Sequence, residues 1–235
     1  KPNGKFRLCI DYRPLNKVTV ADSYTMSRID DILTCLGSAK YISTFDITEG
    51  FHNVPLAEGD KCKTAFNTPW GLWQYRMMPF GLRNSPATFQ KVMDVVLGSY
   101  KWQFVLAFVD DLIVFSNTLE EHLEHLRLVF TRLKEEGLSV HPEKFQLLQS
   151  KVKYLGYIIE RGTVSPNPEK LSALEGYQLP RTVKDVQRFL GLCGYYRHFI
   201  KDFSLIAKPL TNLMRKGVAF FWSGDCLKSF EQLRC

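Results

Sequence analysis

The sequence has no apolar run approaching the roughly 20 residues that cross a bilayer, so no segment reads as a membrane span. It has no Cys-x-x-Cys pair: Cys9, Cys35, Cys62, Cys193, Cys226 and Cys235 are scattered, which removes the usual zinc and dithiol spacings. No cleavable hydrophobic leader precedes them, and the thiols read as reduced in an intracellular protein. No G-x-x-x-x-G-K loop is present, so a triphosphate must be held by basic side chains and backbone amides instead. His122 and His125 beside Glu124 form H-L-E-H rather than the H-E-x-x-H of a zinc hydrolase, and they read as surface residues on an acidic helix. Internal repeats and low-complexity linkers are absent too, which excludes solenoids.

What is present is an ordinary globular composition, with 45% hydrophobic and 23% charged residues in 235, enough to build a real core. The formal charge is +7 and the pI about 9.1, and the excess is localised. Residues 181–218 hold eight Lys or Arg against two Asp. A polyanion, nucleic acid above all, is the natural partner; the alternative is a set of solvated basic helix faces.

Cap and periodicity signals predict helices. Ser27 with Asp30 opens one that Gly37 closes, and Ser85-Pro86 opens another that Gly98 closes. The second carries Phe89, Val92, Met93, Val96 and Leu97 on one face. A third, from Thr118 with Glu121 to Gly137, is expected to bury Leu123, Leu126, Val129, Phe130 and Leu133. Strands are expected over residues 6–12, 41–47, 104–109 and 112–115, with a type I′ turn at Asn3-Gly4 and a hairpin over 153–164 around Gly162. This is an α+β sheet with helices covering one side. From about Pro180 the pattern is helical only and a second unit begins. Thr182 and Asp185 start a helix burying Val186, Phe189, Leu190 and Cys193, and Ser223 caps a segment with Leu227, Phe230 and Leu233. The chain starts at Lys1 and stops at Cys235, and it reads as a fragment of a longer polyprotein.

Asp110 and Asp111 sit between two apolar runs, the pattern of a hairpin whose flanks are buried and whose tip carries both carboxylates. Ionised carboxylates at the edge of a low-dielectric core are costly unless paired or metal-bound. Asp also favours turns, but a tight hairpin prefers Asn-Gly or Asp-Gly. Asp46 ends the alternating segment 40–47 and supplies a third carboxylate. Three Asp from neighbouring strands suit two hard divalent ions and phosphoryl or nucleotidyl transfer.

These residues lie in ordered motifs: "RLCIDYRPLN" from Arg7, "STFDITEGFHNVPL" around Asp46, "MPFGLRNSPATFQ" from Met78, "FVDDLIVFS" from Phe108, "YLGYII" from Tyr154 and "FLGLCGYYRHFI" from Phe189. Together they resemble the reverse transcriptases of Ty3/Gypsy-class long-terminal-repeat retrotransposons, over nearly the whole chain. The resemblance implies an α+β right-hand polymerase, with an antiparallel palm sheet backed by helices and a helical thumb. Fingers would span residues 1–39 and 57–84, palm 40–56 and 85–162, and thumb 163–235, which also starts the connection toward an RNase H domain. It implies an RNA-directed DNA polymerase adding dNTPs to a primer 3′-hydroxyl; the alternative is an inactive, retroelement-derived nucleic-acid-binding domain.

By the same resemblance, Asp46, Asp110 and Asp111 are the catalytic carboxylates. With the Ile47 carbonyl they hold two Mg²⁺, for which Mn²⁺ can substitute. Lys5, Arg7, Ile47, Phe51, Phe80 and Gly81 surround the incoming dNTP, with Lys1 contributing. Phe51 lies under the sugar and excludes a ribose 2′-hydroxyl; its alternative is a packed aromatic. Lys5 has the alternative of a surface charge, and the segment Met78 to Gly81 that of a simple turn. Leu155 and Gly156 resemble the primer grip, while Gln187, Gly191 and Tyr195 face the duplex minor groove. Asn53, Phe51 and His141-Pro142-Glu143-Lys144 depart from the usual pattern. The implied partners are an RNA or DNA template with primer and the RNase H and integrase regions of the same polyprotein. The implied location is the cytoplasm or a virus-like particle, with nuclear entry.

Overall fold

The computed structural model describes residues 8–37, 39–160 and 163–234. The chain divides into two compact units, residues 1–152 with 160–162 and residues 153–159 with 163–235.

The first unit runs α1 (Arg13–Val18), α2 (Ile29–Leu36), β1 (Tyr41–Asp46), α3 (Glu58–Lys61), β2 (Phe66–Thr68), β3 (Gly71–Trp73), α4 (Ser85–Leu97), β4 (Val105–Phe108), β5 (Asp111–Ser116), α5 (Leu119–Glu135) and β6 (Gln146–Gln149). Its main sheet has the order β4-β5-β1-β6, antiparallel throughout. Side-chain alternation gives this sheet two different faces. Phe45, Val105, Ala107, Leu112 and Val114 turn to one side and join Phe89, Met93 and Leu97 of α4 and Leu126, Val129 and Leu133 of α5 in the core. Each such side chain contributes about 1.5–3 kcal/mol when fully buried. The opposite face carries Ile42, Thr44 and Asp46 on β1.

The capping box predicted for α5 forms: Thr118 accepts from the Glu121 N–H, and the Glu121 side chain accepts from the Thr118 N–H. The helix is rotated relative to expectation, however, because Leu123 is exposed and His122 takes the inward position with no exposed surface. Both His122 nitrogens are bonded, Nε2 to Ser43 Oγ at 2.7 Å and Nδ1 to Ser116 Oγ at 2.9 Å. Ser116 Oγ also meets His125 Nδ1 at 2.7 Å, and the His125 ring stacks 3.9 Å from that of Phe104. The histidines are therefore a polar weld between α5 and the sheet, not solvated surface groups. A fully bonded pair of ring nitrogens is the condition under which a buried imidazole is tolerated.

Other expectations shift at their edges. α2 begins at Ile29 without a side-chain cap from Ser27; Asp30 and Asp31 in its first turn support it through the helix dipole instead. Residues 8–12 form no strand. The chain turns there into α1, with Pro14 in the first turn and Asp11 accepting from the Arg13 guanidinium. β2, β3 and β6 carried no clear alternation and were not foreseen. The Asn3-Gly4 turn lies outside the described residues.

The strands β7 (Lys151–Tyr154), β8 (Tyr157–Glu160) and β9 (Thr163–Pro166) form a three-stranded sheet in that order. Its first turn is at Leu155-Gly156, which the reading of one hairpin around Gly162 missed; Gly162 itself is outside the described residues. The helices α6 (Pro168–Glu175), α7 (Val183–Tyr195), α8 (Phe203–Asn212) and α9 (Gly224–Arg234) follow. The Thr182/Asp185 capping box forms, and Val186, Phe189, Cys193, Leu210, Phe230 and Leu233 make a separate core. Among the described residues no helix is long and apolar enough to cross a membrane, and Cys9, Cys35, Cys62, Cys193 and Cys226 form no disulfide.

Burial pushes the His122 imidazole down from 6.5 to about 4, with the neighbouring His125 acting in the same direction. In the unfolded chain it takes a proton near 6.5; in the fold it resists until about 4. Its contribution is therefore complete above pH 6.5 and declines as the pH falls toward 4. The stability gap between wild type and His122→Gln is expected to narrow by about 2–3 kcal/mol between pH 7 and pH 4 in denaturant titrations. A gap independent of pH would contradict this role.

Candidate active site

The register of the central strand pair decides where the acids go. Phe45 faces Leu112 and Asp46 faces Asp111. Residues directly opposite in an antiparallel pair share a face, and Phe45 and Leu112 both lie in the helix-backed core. Asp46 and Asp111 therefore project together from the other face. Asp110 precedes β5 in the turn from β4, where Val109 adopts φ +58°. Its carbonyl accepts from the Ile47 N–H at 2.9 Å, which ties the ends of the two acidic segments together. An extended residue directs its N–H and C=O to the same edge, so the Ile47 carbonyl faces the Asp110 side.

The electrostatics show a crowded site. The Asp46 side chain is 17% exposed and ion-paired to the Lys144 ammonium. Asp111 is pushed up to about 6, first by burial and then by the charges of Asp110 and Asp46, with Lys144 pulling the other way. Lys144 was missed at the level of sequence: it lies 98 residues from Asp46, and only the packing of the segment after α5 against β1 joins them. That packing is carried by the His141 N–H donating to the Asp46 carbonyl at 2.8 Å and by Phe145 stacking 5.4 Å from Phe45. Among the described residues no three His, Cys, Asp or Glu side chains are gathered into a group able to hold an ion. The donors at this edge are all oxygen, which fits a hard cation that takes its remaining ligands from substrate phosphates.

Phe51 lies in a 3₁₀ turn, Gly50–Asn53, that follows β1. A Cβ on Gly50 would stand 2.7 Å from the Phe89 ring, so glycine is what lets this turn close onto α4. Phe51 packs 5.2 Å from Phe80 and 5.7 Å from Phe89, ring to ring, and is half-buried. Gly81 has φ +93°, and its carbonyl accepts from Asn16 Nδ2 at 2.8 Å. Phe51, Phe80 and Gly81 thus come together as expected residues of one region. Lys1, Lys5 and Arg7 lie outside the described residues.

In the second unit the Leu155-Gly156 turn has φ +47° and +77°, the left-handed pair a tight hairpin requires. The Tyr195 hydroxyl donates to the Leu155 carbonyl, and the Tyr196 hydroxyl to that of Gly156 at 3.1 Å. A Cβ on Gly156 would come within 3.3 Å of the Tyr196 hydroxyl. Leu155, Gly156 and Tyr195 are therefore one cluster. Gln187 and Gly191 share the exposed face of α7 with Tyr195, at helical spacing.

Because Asp111 is easier to protonate in the fold than when unfolded, it favours the fold at low pH. That contribution is lost as the pH rises from 3.8 through 6. At pH 7 in chelator, Asp111→Asn is expected to stabilise the chain by on the order of 1–3 kcal/mol, with the gain vanishing below pH 4. Equal or lower melting temperature for the variant at pH 7 would contradict the crowding.

The family pattern described as reverse transcriptase (RNA-dependent DNA polymerase) matches residues 1–159. The retrovirus-related Pol polyprotein from transposon 297 of Drosophila melanogaster is 42% identical over 98% of this chain and 22% of its own length. The Pol polyprotein from transposon gypsy of the same fly is 39% identical over 91% of the chain and 21% of its own length. The chain thus spans about a fifth of these curated relatives. Among solved structures, the foamy viral protease-reverse transcriptase dRH in complex with double-stranded DNA superposes with TM-score 0.86 at 32% identity, covering 100% of this chain and 41% of that one. The same enzyme with an RNA/DNA hybrid gives TM-score 0.80 at 31% identity, covering 100% and 32%. The α+β architecture is that of a right-hand polymerase. The chain belongs to the reverse transcriptase family, alongside those of Ty3/Gypsy-class retrotransposons.

Proposed function

We propose that this chain is the polymerase part of a retrotransposon polyprotein and extends a primer 3′-hydroxyl with dNTPs on an RNA or DNA template. The observation that carries the reading is the pairing of Asp46 with Asp111 across β1 and β5, beside Asp110, on the sheet face opposite the core formed with α4 and α5. Asp46 and Asp110 would hold two Mg²⁺ or Mn²⁺, Asp111 would join the one nearer the primer terminus, and the Ile47 carbonyl would complete a shell. When bound, such ions lower the pKa of the primer hydroxyl and offset charge on the α-phosphate and the departing pyrophosphate.

Lys144 is ion-paired to Asp46; were a cation to take that carboxylate, the freed ammonium would be placed to meet the triphosphate. Lys5 and Arg7, with Lys1, grip the triphosphate. Phe51, held by Phe80 and Phe89, limits the space beside the sugar, and Gly81 lets backbone approach the nucleotide. Leu155 and Gly156 steady the primer strand, and Gln187, Gly191 and Tyr195 lie along the duplex without reading sequence. Residues 1–39 and 57–84 act as fingers, 40–56 and 85–162 as palm, and 163–235 as thumb. The foamy viral relatives captured with double-stranded DNA and with an RNA/DNA hybrid support a primer–template as partner. The relatives are Pol polyproteins, which supports further regions of one polyprotein as covalent neighbours; RNase H and integrase regions are the neighbours proposed, and the cytoplasm or a virus-like particle, with nuclear entry, the proposed location.

Asp110→Asn is expected to reduce dNTP incorporation on a primed RNA template by at least about 100-fold, with primer–template affinity unchanged; near wild-type extension would overturn the site. Phe51→Val is expected to raise the ratio of ribonucleotide to deoxyribonucleotide incorporation by about tenfold or more. An unchanged ratio would leave Phe51 as a packing residue only.

A further inference from the structure

Gln90 is a polar side chain with no exposed surface, on the α4 face that packs against the sheet. Its amide bonds the backbone at the end of β4 on one side and Asp94 of its own helix on the other. Its Oε1 accepts from the Val109 N–H at 2.8 Å, and its Nε2 donates to the Ala107 carbonyl at 3.2 Å and to Asp94 Oδ1 at 2.9 Å. Val109 is the residue immediately before the two aspartates and holds φ +58°, a conformation that a β-branched side chain adopts only when its surroundings enforce it. The Val109 side chain packs on the core, so core packing pulls it one way while Gln90 fixes its N–H.

Asp94 anchors the amide in turn. It receives the Tyr24 hydroxyl at 2.5 Å and an ion pair from Lys101 at 2.7 Å, with both side chains under 20% exposed. Burial raises the Asp94 carboxyl, but the bonds from Lys101, Tyr24 and Gln90 outweigh it and hold the group ionised. An ionised Asp94 can only accept, which forces Gln90 to present its NH₂ to Asp94 and its oxygen to Val109. Lys101 and Tyr24 therefore set the amide's direction from a distance.

We propose that Gln90, oriented by Asp94, is a positioning residue that holds the left-handed Val109 turn and through it aims Asp110 and Asp111 at the cation site. The inference rests on the metal-site reading above. Removing the bonds would leave the turn free to relax toward ordinary backbone angles and swing both carboxylates. Partners of this outer kind commonly change metal affinity or rate by about 10–100-fold.

The test is Mn²⁺ binding alone, read by electron paramagnetic resonance without nucleotide, together with kcat and primer–template affinity. The variants are Gln90→Leu, Gln90→Glu and the exchange Gln90→Glu/Asp94→Asn, with Asp110→Asn as reference. Gln90→Leu is expected to weaken Mn²⁺ about tenfold and to lower kcat by about 10–100-fold, leaving primer–template affinity close to wild type but lowering the melting temperature, since the Val109 N–H, the Ala107 carbonyl and Asp94 all lose a buried partner. Gln90→Glu sets two carboxylates against each other and should also weaken Mn²⁺; the exchange again sets an amide donor against a carboxylate, while the Ala107 carbonyl stays without its donor, and should recover part of the affinity. If Gln90→Leu does not fold, the folded Glu variants carry the comparison. Wild-type Mn²⁺ affinity in every folded Gln90 variant, while Asp110→Asn loses it, would overturn the positioning role alone. Wild-type Mn²⁺ affinity in Asp110→Asn would instead overturn the metal site on which the role rests.

Discussion

Like charges held at the edge of an apolar core repel, and the first unit is organised around keeping Asp46, Asp110 and Asp111 together in spite of that repulsion. The β1–β5 register brings Asp46 and Asp111 face to face, and the core beneath, Phe45 against Leu112, prevents the pair from slipping. A one-residue slip of either strand would turn that strand's acid into the helix-packed core and its apolar side chains out of it, so packing energy enforces a geometry that electrostatics alone would break. The consequence is visible in Asp111, whose proton affinity is raised, and in Lys144, which lies against Asp46.

The supporting parts act on the same constraint from different sides. Gly50 lets the 3₁₀ turn after β1 close onto Phe89, which places Phe51 against Phe80. His122 joins α5 to β1 and β5 through two serines, so the helix layer and the strands behind the acids move as one. The second unit uses a similar device, with the hydroxyls of Tyr195 and Tyr196 capping the carbonyls of a left-handed turn.

Much of this was legible from residue order. The strand carrying Asp46, the acidic turn and the helices α4, α5 and α7 all follow from local signals: alternation, apolar runs, Pro86 in the first turn of α4, which has no side-chain cap from Ser85, and Thr with an acid three residues on in α5 and α7. What escaped was long-range. Lys144 meets Asp46 across 98 residues, and no spacing rule connects them. His122 was read by its charged neighbours as surface, yet it falls on the buried face of α5 with Leu126, Val129 and Leu133, while Leu123 is exposed. Gln90 looked like one polar residue at the end of a familiar motif until the Val109 N–H was found on its oxygen. β2 and β3 escaped for a different reason. They are short, and β3 is exposed along its whole length, so burial left no periodic trace in the sequence.

The most direct measurement is anomalous diffraction at the manganese edge from the chain crystallised with Mn²⁺, a chain-terminated primer–template and the next dNTP. The account predicts manganese bounded by Asp46 and Asp110, with Asp111 on the primer side and the Lys144 ammonium drawn away from Asp46. Manganese bound elsewhere, with Lys144 still paired to Asp46 beside an ordered nucleotide, would contradict it.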